Sequence, residues 1–161
     1  MASAVAENIH RHKDQLHVSQ SADGLPVPFR TVARGIKEEI SPQLASLLNP
    51  DAIYLLGICF DLDVFEPDLL FLVALPVSLN DFRVLCREHR GVDFHEGDLK
   101  FARALPDEPA LIIDLSKPAW LPTGQASLMR AVQFIQAVCN ESGSSVPNVA
   151  QELSNGRVPF A

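Results

Sequence analysis

A chain of 161 residues, 47% apolar and 20% charged, has the size and make-up of one globular domain and is too apolar for a disordered protein. Thirteen Lys and Arg against 20 Asp and Glu leave a net charge of −7. That balance argues against a nucleic-acid partner, which would need clustered cations to displace counterions from the phosphate backbone. A basic protein is the electrostatically easier partner.

Cys59, Cys86 and Cys139 form no CxxC pair and have no metal-ligand spacing, so they read as small buried hydrophobes of a reducing compartment. Met1 to Val5 lacks the apolar core of a signal peptide. Leu69 to Val77, the longest strongly apolar stretch, falls far short of the roughly 18 residues that a membrane helix requires. A cytoplasmic protein with no membrane contact is expected.

Residues 1–25 predict a polar N-terminal arm. It carries a basic cluster, His10, Arg11, His12, Lys13 and His17, while Val5, Ile9 and Leu16 mark a helical stripe suited to loose docking. His10 and His12 would diverge on a helix, and no carboxylate or cysteine completes a metal set. Asp23-Gly24 predicts a turn, with Pro26 and Pro28 in extended chain.

A single α+β domain is expected over residues 26–142. Phe29, Val32, Ile36, Ile40, Leu44 and Leu47 recur at helical steps. Pro42 lacks an N–H and interrupts that pattern, so Ser41-Pro42 should cap a second helix after a kink, and Asn49-Pro50 should end it. Ile53–Phe60 and Leu69–Leu75 are continuous apolar runs, which predicts central strands covered on both faces. Leu79–His89 predicts a short helix capped by Asn80 or Asp81, with Phe82, Leu85 and Cys86 inward and Gly91 just past its end.

Val92–Phe101 reads as a hairpin around Glu96-Gly97, and Ala110–Leu115 as a further apolar strand. Lys117–Gly124 is a proline-bracketed loop carrying Trp120. A last helix from about Thr123 to Glu141 places Leu128, Val132, Ile135 and Val138 inward, and Arg130, Gln133 and Gln136 outward. Residues 143–161 read as a polar C-terminal tail with little to pack. The expected architecture is therefore a mainly antiparallel or mixed sheet of about four to five strands with three to four packed helices. Ile53, Leu55, Ile58, Leu70, Leu72, Ile112, Val132 and Ile135 form its candidate core.

Two acidic clusters invite a metal reading. Asp93, His95, Glu96 and Asp98 are dense enough to hold a divalent ion, but the hairpin pairs Asp93 with Lys100 and His95 with Asp98 on its wet face, which needs no metal. The other cluster is Asp61, Asp63, Glu66 and Asp68, between the two apolar runs. Across residues 30–95 the order helix, strand ending in Leu56-Gly57, loop, Pro67-Asp68 strand, helix, Val92-Asp93 strand resembles a minimal nucleotidyltransferase domain. The resemblance implies that Gly57 matches the glycine of that family's Gly-Ser, and that Asp68 and Asp93 match the first and third metal carboxylates. Ile58 stands in place of the serine, and Leu70 where the second carboxylate belongs. It implies Mg²⁺ as cofactor and a metal-dependent nucleotidyl- or phosphoryl-transfer domain, or a relative that has lost catalysis.

No nucleophile set and no phosphate-cradling glycine loop is present. Lacking a complete catalytic set, the chain is expected to be a non-catalytic, cofactor-free module that binds another protein, in the manner of immunity proteins, secretion chaperones and adaptors; a structural homo-oligomer is the third class. Trp120 and Leu121, between Pro118 and Pro122, are the candidate contact residues, because a tryptophan in a rigid loop makes an efficient anchor.

Overall fold

The computed structural model describes residues 27–61, 66–92 and 122–158. The N-terminal arm, the Val92–Phe101 hairpin beyond its first residue, the Ala110–Leu115 strand, Asp93, Ile112, Trp120 and Leu121 lie outside the described residues.

Helix α1 spans Val27–Gly35 and runs into a π-helical turn, Ile36–Ile40. Pro28 stands in the first turn of α1, where its missing N–H costs nothing, so this proline opens a helix where extended chain was expected. The π turn closes with the Ser41 N–H donating to the Ile36 carbonyl at 2.8 Å. Pro42 has no N–H to continue the ladder, and the chain restarts as α2, Pro42–Ser46. Ser41 caps it as expected: its Oγ accepts from the Leu44 N–H at 3.5 Å. Asn49 caps a 3₁₀ turn, Pro50–Ala52, which feeds strand β1, Ile53–Asp61.

Strand β2, Glu66–Val73, pairs antiparallel with β1, from Ile53 opposite Val73 to Asp61 opposite Glu66. Helix α3, Leu79–Glu88, is capped by Ser78 rather than by Asn80 or Asp81. The Ser78 Oγ accepts from the Asp81 N–H at 3.1 Å and donates to the Asp81 carboxylate at 2.6 Å, so Asp81 belongs to the cap as its partner. Helix α4 runs from Pro122 to Ser142 and α5 from Val146 to Ser154.

The expected sheet of four to five strands is overturned. Among the described residues the sheet has two strands and is accompanied by five α-helices, so the fold is α+β only in the broad sense. A two-stranded ribbon is marginal alone and has to be buried by other elements. Here each face packs against helices. Ile53, Phe71, Val73 and Leu75 join Val32, Ile36, Ile40 and Leu44 of the first helices and Phe82 and Cys86 of α3 in one core. The alternate residues Tyr54, Leu72 and Ala74 meet Ala131 and Val138 of α4 and Val149 and Leu153 of α5 in the other. The period of two along the strands thus divides the interior into two cores.

Further corrections follow from this arrangement. Residues 143–161 hold α5, whose buried Val149 and Leu153 are integral to the second core, so this segment is not a polar tail. Leu70, Leu72 and Ile53 are buried as expected, but Leu55 and Ile58 are exposed, and Val132 and Ile135 are half-buried while Ala131 and Val138 point inward.

Leu72 is fully enclosed between β1 and α4–α5, so Leu72→Ala should cost about 2–5 kcal/mol in a urea titration. Gly91 is a second weak point. Its N–H donates to the Ile40 carbonyl at 3.0 Å, and a Cβ there would overlap the Glu38 carbonyl of the π turn. That contact is with backbone and cannot rotate away. Gly91→Ala should therefore lower the melting temperature, with a loss of about 1–3 kcal/mol, whereas Gly143→Ala, where a Cβ meets open space, should be limited to the strain of its positive φ.

Candidate interaction surface

Strand pairing decides which side chains share a face, because residues directly opposite one another on antiparallel strands point the same way. Leu55 lies opposite Phe71, Ile58 opposite Leu69 and Phe60 opposite Pro67. Between them the register shifts at Leu55/Gly57, so that Leu56 and Gly57 both lie on the side of Leu70. This bulge changes the alternation by one residue. Leu55 and Ile58, three positions apart, consequently share a face, which a regular strand would forbid. Phe60 continues the row.

These three side chains are 49%, 63% and 62% exposed. Two of their β2 partners on that face, Phe71 and Leu69, are better covered, whereas Pro67 is exposed. Phe71 is buried, with the Phe29 ring of α1 set edge-on at 5.4 Å, and Leu69 packs against the first core. Helix α1 therefore covers the β2 side of the ribbon and leaves the β1 side open, an apolar row about 17 Å long at strand spacing. Scattered exposed apolar residues are normal on any protein, but three aligned on one strand form a contiguous surface.

The opposite face carries what the nucleotidyltransferase resemblance would need. Asp68 is half-buried opposite Cys59, and Gly57 faces the buried Leu70. Ile58 turns to the other side of the ribbon from Asp68, and Asp93 lies outside the described residues, as do Trp120 and Leu121. Among the described residues no group of three or more His, Cys, Asp or Glu is placed to hold a metal ion. A recess of about 300 Å³ between Leu75–Ser78 and α5, bounded by Pro147, Gln151 and Ser154, has no ionisable side chain in its lining.

Sequence reasoning missed the row because Ile53–Phe60 is apolar without alternation. The one available signal was Gly57 inside a strand pattern, which marks a bulge.

On the well-covered part of the ribbon, Tyr54 packs on Phe134 with ring centroids 5.6 Å apart, and its hydroxyl donates to the Leu153 carbonyl at 2.9 Å. The bond ties β1 to the end of α5. Burial, and secondarily the Asp51 carboxylate, push the phenol above its ordinary 10.0. Burial likewise raises the Cys86 and Cys139 thiols above 9.0. In comparisons with known proteins, no family model, no curated protein and no solved structure matches the chain.

Each raised value means that the folded protein holds its proton more tightly than the unfolded chain does. The associated stability is complete below the ordinary values and is lost as pH rises through the raised ones. Stability should therefore fall above about pH 9, first through the thiols and then through Tyr54. Tyr54→Phe should cost about 1 kcal/mol at neutral pH by removing the hydroxyl's bond to the Leu153 carbonyl, which still accepts from the Gly156 N–H, and should make the alkaline loss shallower. Urea midpoints at pH 7, 9 and 10.5 measure both effects.

Proposed function

We propose that this chain is a non-catalytic protein-binding module, comparable to small acidic immunity proteins, chaperones and adaptors, and that it takes its partner on the Leu55, Ile58 and Phe60 row of β1. The observation that carries the reading is the exposure of three aligned apolar side chains on a strand whose other half is sealed into two cores. A partner covering them removes apolar area from water at about 25 cal/mol per Å². Trp120 and Leu121, just ahead of α4, are proposed as additional contacts.

The net charge of −7 favours a basic partner and would act mainly on association rate and salt dependence rather than on affinity. Among the described residues no helix is long and apolar enough to cross a membrane. Cys59, Cys86 and Cys139 are thiols and not disulfides, which supports a reducing, cytoplasmic setting.

The test replaces exposed residues only. Ile58→Gln with Phe60→Ser should leave stability within about 0.5 kcal/mol, since neither side chain is buried. Binding to a partner isolated with the unmodified protein should weaken by about 2 kcal/mol, the scale of an interface anchor. Titration calorimetry of both proteins against that partner measures the difference. Unchanged affinity would remove the row from the interface.

A further inference from the structure

A glycine cap closes the end of α5. Asn155 is the cap residue, with φ −86° and ψ 3°, and Gly156 follows at φ +75°, in the left-handed region that glycine enters freely. The Gly156 N–H donates to the Leu153 carbonyl at 3.0 Å, and the Arg157 N–H donates to the Glu152 carbonyl at 3.0 Å. The cap is seated against the rest of the fold. A Cβ on Gly156 would overlap the Asp51 side chain of the 3₁₀ turn, and the Leu153 carbonyl also accepts the Tyr54 hydroxyl.

Asn155-Gly156 is also the one Asn-Gly step in the sequence. In such a step no side chain shields the glycine nitrogen, which can attack the asparagine Cγ. The N–Cγ bond forms, the backbone amide proton is lost, and the side-chain nitrogen leaves as ammonia, giving a five-membered succinimide. Water then opens the ring at either carbonyl. The products are aspartate and isoaspartate, in which the main chain runs through Cβ and Cγ. The folded cap opposes this chemistry. Ring closure needs the Gly156 nitrogen on the Cβ side of Asn155, whereas at ψ 3° it eclipses the Asn155 nitrogen, about a third of a turn away around a tetrahedral Cα. Turning ψ that far breaks both cap bonds.

We propose that Asn155 is a deamidation site gated by the α5 cap. The closed cap protects it, opening of the end of α5 exposes it to ring closure, and the isoaspartate product holds that end open. Isoaspartate inserts one extra carbon into the main chain between the Asn155 Cα and the Gly156 nitrogen, so the Gly156 and Arg157 N–H groups no longer reach Leu153 and Glu152 together. The new carboxylate also stands at the negative end of the α5 dipole, beside the glycine that packs on Asp51. Both effects oppose reclosure. The modification turns a transient opening into a lasting one and loosens Leu153, the residue that ties β1 to α5.

Incubating the full chain in mildly alkaline buffer, folded and in unfolding guanidinium chloride, measures the gate. Trypsin releases residues 131–157 as one fragment, and fragmentation assigns its amide-to-acid mass gain to a residue. Conversion of Asn155 should be at least about tenfold slower in the folded protein, since it follows the open population. Equal rates would overturn the gate, and faster conversion at Asn140 or Asn148 would overturn the site. Amide hydrogen exchange on protein converted while folded measures the lock. The Gly156 and Arg157 N–H groups should exchange at least about tenfold faster than in unconverted protein, with the β1–β2 ladder amides unchanged. Protection retained at both cap amides would overturn the lock. Protection lost throughout the ladder would mean global unfolding, which overturns a device local to α5.

Discussion

The fold depends on β2 having an apolar side chain on each of its faces at almost every step. Phe71, Val73 and Leu75 go one way, and Leu70, Leu72 and Ala74 the other, all buried. A ribbon that is apolar on both sides can leave water only if something packs on each side, and a pair of strands has too little area to do this itself. The first three helices and the last two meet that requirement from opposite directions. Each buried Leu, Val or Phe contributes about 1.5–3 kcal/mol, so losing either layer would strand several such contributions in water.

A proline sets the geometry of the first layer. Pro42 removes a backbone donor where the helix would otherwise run on, and the turn before it widens from α to π spacing, closed by Ser41 on Ile36. The widened turn leaves the Ile40 carbonyl to accept from Gly91, which fastens the exit of α3 to the start of α2. Gly91 sits so close to the Glu38 carbonyl that only hydrogen fits in place of a side chain. The Arg34–Glu38 pair at 3.0 Å spans the same junction, but an ion pair at i, i+4 adds only a few tenths of a kcal/mol. Shape, more than charge, holds this corner.

The local elements were legible where one physical rule dominates. Ser41-Pro42 as a cap follows from the chemistry of serine and proline, and a helix over 79–88 follows from its periodicity and its stop. The sheet was not legible, because apolar runs report burial and not the number of neighbouring strands. Helices on both faces bury Leu72 as completely as flanking strands would. The C-terminal helix was missed for a related reason. Residues 146–154 carry only Val146, Val149 and Leu153 as large apolar residues among polar ones, yet that suffices when Tyr54 reaches across to the Leu153 carbonyl and α4 lies alongside.

The row on β1 is the product of the same rule with one residue added. Up to Leu55 the strands are in register and the ribbon is sealed on both sides. The bulge at Leu56–Gly57 then places two consecutive residues on the side of Leu70 and returns Ile58 and Phe60 to the face of Leu55. Without that extra residue Ile58 would point toward Leu70 and the α4–α5 side, and Leu55 would be followed on the open face by Gly57, which has no side chain to offer. The bulge converts an uninterrupted apolar run, which should be wholly internal, into one buried half and one half turned to solvent. An exposed apolar strand is an association hazard that folded proteins ordinarily blunt with charge or cover. Here Leu55, Ile58 and Phe60 carry no charge, and the nearest strand carboxylate, Asp68 opposite Cys59, belongs to the other face. Covering that row would remove the hazard, which is the physical ground for the binding role proposed for it.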